Sequence, residues 1–430
     1  MTKQPTRLLF GNAAQVVTCA GPARARIGAE MADADVRTGV CVLVEDGNIV
    51  AVGDERTLHA SVPDAELVDC GGGVLTPGFV DSHTHAIFGR ARFEEQELRA
   101  TGVSYMEIAR RGGGIHASVR DLQERPEDEL FDLAEPRLRA LAASGVTSVE
   151  VKSGYGLSLE DEIKSLRVIQ RLASVLPMRI VPTWLGAHEI PHASRARPNG
   201  RREYIDLLVN DMLPVVAHER LAQFADVFCE PGVFTVDESR EILLAARNAG
   251  LGIKLHADEL VSGGGAELAG ALRATSADHL AAVSDAGIAA LAEGGTVATL
   301  LPGTMLFLGK TARAPARQLI EGGVPVALAT DFNPGTSPTT NFPLILTLGV
   351  SQLGLSVAEA MIAGTVNGAA ALGLARRTGQ LAPGFSADLA LWPVTDVREI
   401  PYWYGAGRCQ ASWTRGKPCH VHDLALTFRL

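Results

Sequence analysis

The feature that most constrains this chain is a unit that recurs through its middle: a short apolar run, a polar cluster, then a stretch with helical periodicity. The runs fall at 74–80, 146–151, 179–183, 226–229, 252–255, 275–278, 296–300 and 325–330. Between them, stretches such as 159–176, 237–248 and 284–292 place apolar residues at three- and four-residue steps, the period of a helix with one buried face. Eight runs, each leading into a helix, predict an α/β fold: parallel strands closed into a (β/α)8 TIM-like barrel. The long connection between 80 and 146 must carry extra loops or helices, at 102–111 and 126–143. Such an insertion after a first strand belongs to the catalytic face.

The two ends read differently. Runs at 7–10, 15–18, 40–45 and 48–52 are broken by Gly, Asp and Asn, and Glu45-Asp46-Gly47-Asn48 is a hairpin signal. Further runs at 387–392, 410–415 and 420–422 follow near the end. This pattern predicts a small β-sandwich domain formed from both chain ends, residues 1–72 and 385–430, around a barrel of 73–384.

Composition narrows the function classes. A net charge of −10 with no basic stripe argues against nucleic acid as a partner. No apolar run is long enough to span a bilayer, and the start lacks the pattern of a signal peptide, so the expected location is the cytoplasm, with no membrane partner. The six cysteines are scattered without a Cys-x-x-Cys pair, which predicts neither a disulfide framework nor a zinc ribbon.

A barrel of this kind places its chemistry at the carboxyl ends of its strands, so the polar clusters there carry the functional reading. Asp81-Ser82-His83-Thr84-His85 follows the first run, and alternation turns His83 and His85 to one side. Lys254-Leu255-His256-Ala257-Asp258-Glu259 closes another run, offering His256 as a third nitrogen ligand and Glu259 as a carboxyl able to move protons without binding metal. His279 ends the run at 275–278, and Asp331 follows the last. Three histidines and a carboxylate around one divalent ion leave a position open for water, as hydrolysis requires. His420 and His422 have the same spacing as His83 and His85 but no such surroundings, and read as a sheet pair.

These clusters resemble the amidohydrolase superfamily. Taken with Arg92, "RRGGGIHAS" from Arg110, "VEVKSGYGL" from Val149, "TWLGAHEIP" from Thr183, "KLHADEL" from Lys254, "LLPGT" from Leu300 and "TDFNPGTSP" from Thr330, they resemble its imidazolonepropionase family over about residues 73–384. The resemblance implies hydrolysis of the cyclic amide of 4-imidazolone-5-propanoate to N-formimidoyl-L-glutamate in histidine degradation. It implies one zinc or iron ion on His83, His85, His256 and Asp331, and substrate contacts by Arg92, Tyr155, His188, Glu259, Asn333, Gly335 and Thr336. It places His279 beside the attacking water and implies a homodimer. Residues 115–119 depart from the Thr-rich run of that family.

In this reading Asp331 is the base toward water and Glu259 the donor to the departing nitrogen, two roles that can be exchanged. Arg92 matches the carboxylate tail of a small-molecule substrate. Tyr155 lies on a glycine-flanked loop able to close over the substrate. Lys152, at the end of the second run, opens an alternative with a carboxylated lysine bridging two metals. An aminohydrolase acting on a nucleobase would share the same core residues. A non-catalytic scaffold would have lost ligand candidates that are all present here.

Overall fold

The computed structural model describes residues 7–103 and 105–422. Residues 1–6 and 423–430, expected in the domain formed by the two ends, lie outside the described residues.

The eight strands expected in the middle form one parallel sheet in sequential order. They are β1 (Phe79–Asp81), β2 (Val146–Lys152), β3 (Arg179–Ala187), β4 (Phe224–Cys229), β5 (Gly252–Ala257), β6 (Ser276–His279), β7 (Val297–Leu300) and β8 (Val326–Leu328). The ring closes where the chain leaves β8. Asp81 accepts hydrogen bonds from the Thr330 amide at 3.0 Å and the Thr330 hydroxyl at 2.7 Å. The Asp331 amide donates to the His83 carbonyl at 3.0 Å, and the His85 amide to the Phe332 carbonyl at 2.8 Å. The result is a nearly closed TIM-like barrel.

The helix Leu159–Val175 shows why the chain alternates as it does. Ser158 caps it by accepting from the Asp161 amide at 3.1 Å, and Glu160, Asp161 and Glu162 complement the positive end of its dipole. Ile163, Leu166, Ile169 and Leu172 return at helical steps and are buried in the core that packs between helices and barrel. Burial of each such side chain stabilises the fold by about 1.5–3 kcal/mol before entropy is counted.

One expectation needs correction. The run 74–80 is two strands, Val74–Pro77 and Phe79–Asp81, which belong to different sheets. Gly78 is the point of exchange. Its amide donates to Asp388, the next amide donates to Gly145, and a Cβ at Gly78 would lie 2.2 Å from the Thr147 side chain. An apolar run reads alike in either sheet, so the sequence hides the break. The insertion after β1 holds four helices (Phe93–Ala100, Tyr105–Arg110, Ile115–Glu124 and Glu127–Ala143), two of them at the expected positions.

Strands from the two ends combine into two mixed sheets, which fit a small extra domain. One holds Asn48–Asp54, Val40–Glu45, Arg7–Gly11 and Glu66–Asp69. The other joins Val74–Pro77 to Leu389–Trp392 and Gln15–Val17. Phe10, Val42, Ile49, Leu75, Leu389 and Trp413 share one buried cluster. The expected hairpin turns through Asp46 (φ 47°) and Gly47 (φ 81°), the paired left-handed residues of a two-residue loop. All six cysteines are free thiols. Among the described residues, no helix is long and apolar enough to cross a membrane.

The helix Val236–Asn248 supplies a test of the local physics. Thr235 and Glu238 form a reciprocal cap, and Arg201 donates to both Glu238 oxygens at 2.6 and 2.5 Å. Those hydrogen bonds hold the Glu238 carboxyl down at about 2. A depressed carboxylate stabilises the fold above its unfolded pKa, about 4.3, and loses that effect as pH falls through the folded value. Discounted for partial exposure, Glu238→Gln is expected to cost about 1 kcal/mol at neutral pH. Urea unfolding across pH should show the difference from wild type shrinking between about pH 4.5 and 2.

Candidate metal centre

The mouth of the barrel collects the predicted polar clusters. His83 and His85 lie just beyond β1, and the hydrogen bonds that close the ring also pin this segment to Asp331 and Phe332. His256 sits on β5 and His279 ends β6. His279 (φ 79°) and Asp331 (φ 50°) take left-handed backbone conformations that a side chain disfavours by roughly 1–3 kcal/mol, so the surrounding structure holds them there.

His83 Nε2 and His85 Nε2 lie 3.2 Å apart, and His256 Nε2 lies 3.4 Å from His85 Nε2. Asp331 Oδ1 is 3.6 Å from His83 Nε2 and 3.5 Å from His85 Nε2. The possible ligands form overlapping trios: His83, His85 and Asp331; His83, His256 and His279; His85, His188 and His256. His83 Nδ1 is 2.6 Å from Asp278 Oδ2, which assigns its proton to Nδ1 and turns the Nε2 lone pair toward the centre. Burial, followed by neighbouring positive charge, pushes His83, His85 and His279 well below the usual histidine range. These are neutral imidazoles, the form that binds a divalent metal.

The carboxyl groups tell the same story with opposite sign. Burial raises Asp331 to about 6, against the hydroxyl of Thr304, which donates to Asp331 at 2.5 Å. Burial and then the charge of Asp331 raise Glu259 to about 8. Glu259 Oε2 stands 3.6 Å from His279 Nε2. His85 Nδ1 and His279 Nδ1 are buried without a hydrogen-bond partner among the described residues. Converging lone pairs, neutral imidazoles and the buried Asp331 carboxyl are a donor set that fits a divalent cation.

The predicted substrate contacts lie on two sides of this centre. Arg92 Nη1 donates to Ser118 at 3.3 Å, and its Nε is 3.6 Å from Glu95. Its guanidinium lies over Gly335, where an added Cβ would come within 1.4 Å of Nη2. Asn333 spends its side chain on its own loop, accepting from the Gly335 amide at 2.9 Å and the Thr336 amide at 2.8 Å. His188 stacks on His85 with ring centres 5.0 Å apart, and Tyr155 lies 5.4 Å from the His188 ring. The loop carrying Tyr155 is anchored at its base. The buried carboxyl of Glu162 accepts from the amides of Gly154, Gly156 and Leu157 and so ties the loop to the start of its own helix. The rings of His420 and His422 are 6.3 Å apart, at the strand Lys417–Val421, as the sheet-pair reading expects.

Glu230, Glu150 and Asp226 have no part in the sequence reading, yet the structure brings them to this site. Glu230 accepts from the Glu259 and Val261 amides and so shapes the turn that presents Glu259. Beneath the histidines, Glu150, Lys152, Asp226, Lys254 and Asp278 are fully or almost fully buried inside the barrel. Lys152 Nζ lies 2.6 Å from Asp226 and 2.8 Å from Glu150; Lys254 Nζ lies 2.8 Å from Glu150. Burial works against the Lys152 ammonium, but Asp226, Glu150 and Asp278 outweigh it and hold its pKa above the usual lysine range. The signal in the sequence is a charge inside a mainly apolar strand: Glu150 and Lys152 at alternate positions of one, and Asp226, Lys254 and Asp278 singly in three others.

Comparison with known proteins identifies the family. The amidohydrolase family profile matches residues 110–412. A protein of Geobacillus kaustophilus named imidazolonepropionase is 45% identical over 415 residues, covering 95% of this chain and 97% of its own. One of the same name from Symbiobacterium thermophilum is 47% identical over 418 residues, covering 96% and 97%. The crystal structure of an amidohydrolase from a Sargasso Sea environmental sample superposes with a TM-score of 0.71 at 22% identity, covering 97% of this chain and 94% of that one.

A site of this chemistry should stabilise the protein when filled. Adding zinc or iron(II) to metal-free protein is expected to raise the unfolding temperature, by about 2.7 kcal/mol of stability at a hundredfold excess over the dissociation constant. His83→Ala should abolish the rise, as read by differential scanning fluorimetry.

Proposed function

The chain belongs to the amidohydrolase family and, within it, to the imidazolonepropionases; from that premise we propose that it opens the cyclic amide of 4-imidazolone-5-propanoate, giving N-formimidoyl-L-glutamate in histidine degradation. The observation that carries the reading is the meeting of His83, His85 and Asp331 at 3.2–3.6 Å, with the turn that follows Asp331, at Gly335, under Arg92.

His83, His85, His256 and Asp331 would hold one zinc or iron ion. When bound, that ion supplies hydroxide near neutral pH and polarises the amide carbonyl. Asp331 accepts the proton released as water adds to the ring carbonyl. Glu259, whose burial favours the protonated form, gives its proton to the ring nitrogen as that nitrogen departs. His279, neutral and 3.6 Å from Glu259, donates toward the oxygen that gains charge in the tetrahedral intermediate. Arg92 binds the propanoate carboxylate through paired N–H groups, with Tyr155 and His188 against the ring. Asn333 holds Gly335 and Thr336 in the shape that faces the tail. The protein acts as a homodimer, which light scattering in solution tests.

Loss of imidazolone ultraviolet absorbance should require the divalent ion and stop after treatment with a chelator. Arg92→Lys keeps the charge but loses the fork, and should raise KM about tenfold to a hundredfold with little change in kcat. Gly335→Ala displaces the same guanidinium and should give the same signature. Release of ammonia from nucleobases, with no turnover of the imidazolone, would contradict the proposal.

A further inference from the structure

The barrel interior below the histidines is usually filled with branched apolar side chains. Here it holds a charged layer. Lys152 Nζ sits among Asp226 at 2.6 Å, Glu150 at 2.8 Å and Asp278 at 3.7 Å. Asp278 is the carboxylate 2.6 Å from His83 Nδ1. Asp226 Oδ2 is 3.1 Å from His256 Nδ1, without the alignment of a good hydrogen bond, and Asp226 Oδ1 accepts from the His256 amide at 3.2 Å. Lys254 completes the layer, donating to the Ser82 carbonyl at 2.9 Å just before His83. Each of two histidines at the mouth therefore rests on a carboxylate; both carboxylates face the Lys152 ammonium, and Asp278 also faces Lys254 at 3.8 Å.

We propose that Lys152 is a positioning residue: a buried ammonium that fixes Asp226 and Asp278, and through them the orientation of His256 and His83 toward the metal. The proposal rests on the metal reading given above and assigns Lys152 a role different from a carboxylated bridge between two ions. Geometry separates the two. A bridging lysine turns its terminal nitrogen toward the metals and carries an added carboxyl group there. Lys152 is 0% exposed, with its nitrogen already packed between Asp226 and Glu150 one layer below the imidazoles. Removing the ammonium leaves Asp226 buried without its counter-charge and Asp278 with Lys254 alone, at 3.8 Å, and partners of this kind typically change metal affinity by about 10–100-fold.

The test uses the full-length protein loaded with cobalt(II), whose visible absorption reports the ligand field. Lys152→Met, which keeps the unbranched shape, is expected to weaken cobalt binding about 10–100-fold in chelator competition and to shift the spectrum, while circular dichroism stays that of wild type. Asp226→Asn, which neutralises the carboxylate between Lys152 and His256, should act in the same direction and serves if Lys152→Met does not fold. Wild-type protein grown with 13C-bicarbonate should show no carbamate carbon resonance. A folded variant that binds cobalt as wild type does, with the same spectrum, would overturn the proposal, as would a carbamate signal in wild type. Failure of wild type to bind any divalent ion would instead count against the proposed function itself.

Discussion

Charge removed from water must be answered nearby, and this constraint organises the whole barrel mouth. An isolated carboxylate or protonated imidazole at such depth is strongly disfavoured, so a buried group gives up its charge or finds a partner. His83, His85 and His279 give it up. Asp331 and Glu259 move toward their neutral forms, and Glu259 moves furthest because Asp331 repels it as well. A divalent cation relieves both effects together, since imidazole lone pairs and carboxylate oxygens are what it binds.

The same constraint reaches one layer down. Lys152 and Lys254 keep their place inside the barrel because Glu150, Asp226 and Asp278 surround them. Removing one partner from such a lattice leaves an uncompensated charge, which makes the lattice brittle and its geometry definite. Definite geometry has a use here, because Asp278 fixes the tautomer of His83. The fold thus passes orientation upward, from paired charges in the core to lone pairs at the mouth.

Much of this was legible in the sequence. The eight-fold alternation predicts the barrel, because strand and helix periods differ and parallel strands need crossovers. His83, His85, His256, His279 and Asp331 were visible because each follows an apolar run. What stayed hidden has physical causes. The break at Gly78 separates two strands in different sheets, yet both are apolar, and a hydrophobic pattern does not record which sheet a strand joins. The anchored Tyr155 loop depends on Glu162, a residue in the first turn of a helix, where acidic side chains are ordinary. Glu150 and Asp226 read as exceptions within apolar strands because their partners come from other strands, and sequence distance conceals the pairing.

The central claim is that one cation is held where these side chains converge. Anomalous diffraction from crystals of the metal-loaded protein, collected at the edge of the bound element, tests it most directly. The account predicts a single peak about 2.0–2.2 Å from His83 Nε2, His85 Nε2, His256 Nε2 and an Asp331 oxygen. A peak elsewhere in the molecule, or two peaks with Lys152 between them, would contradict it.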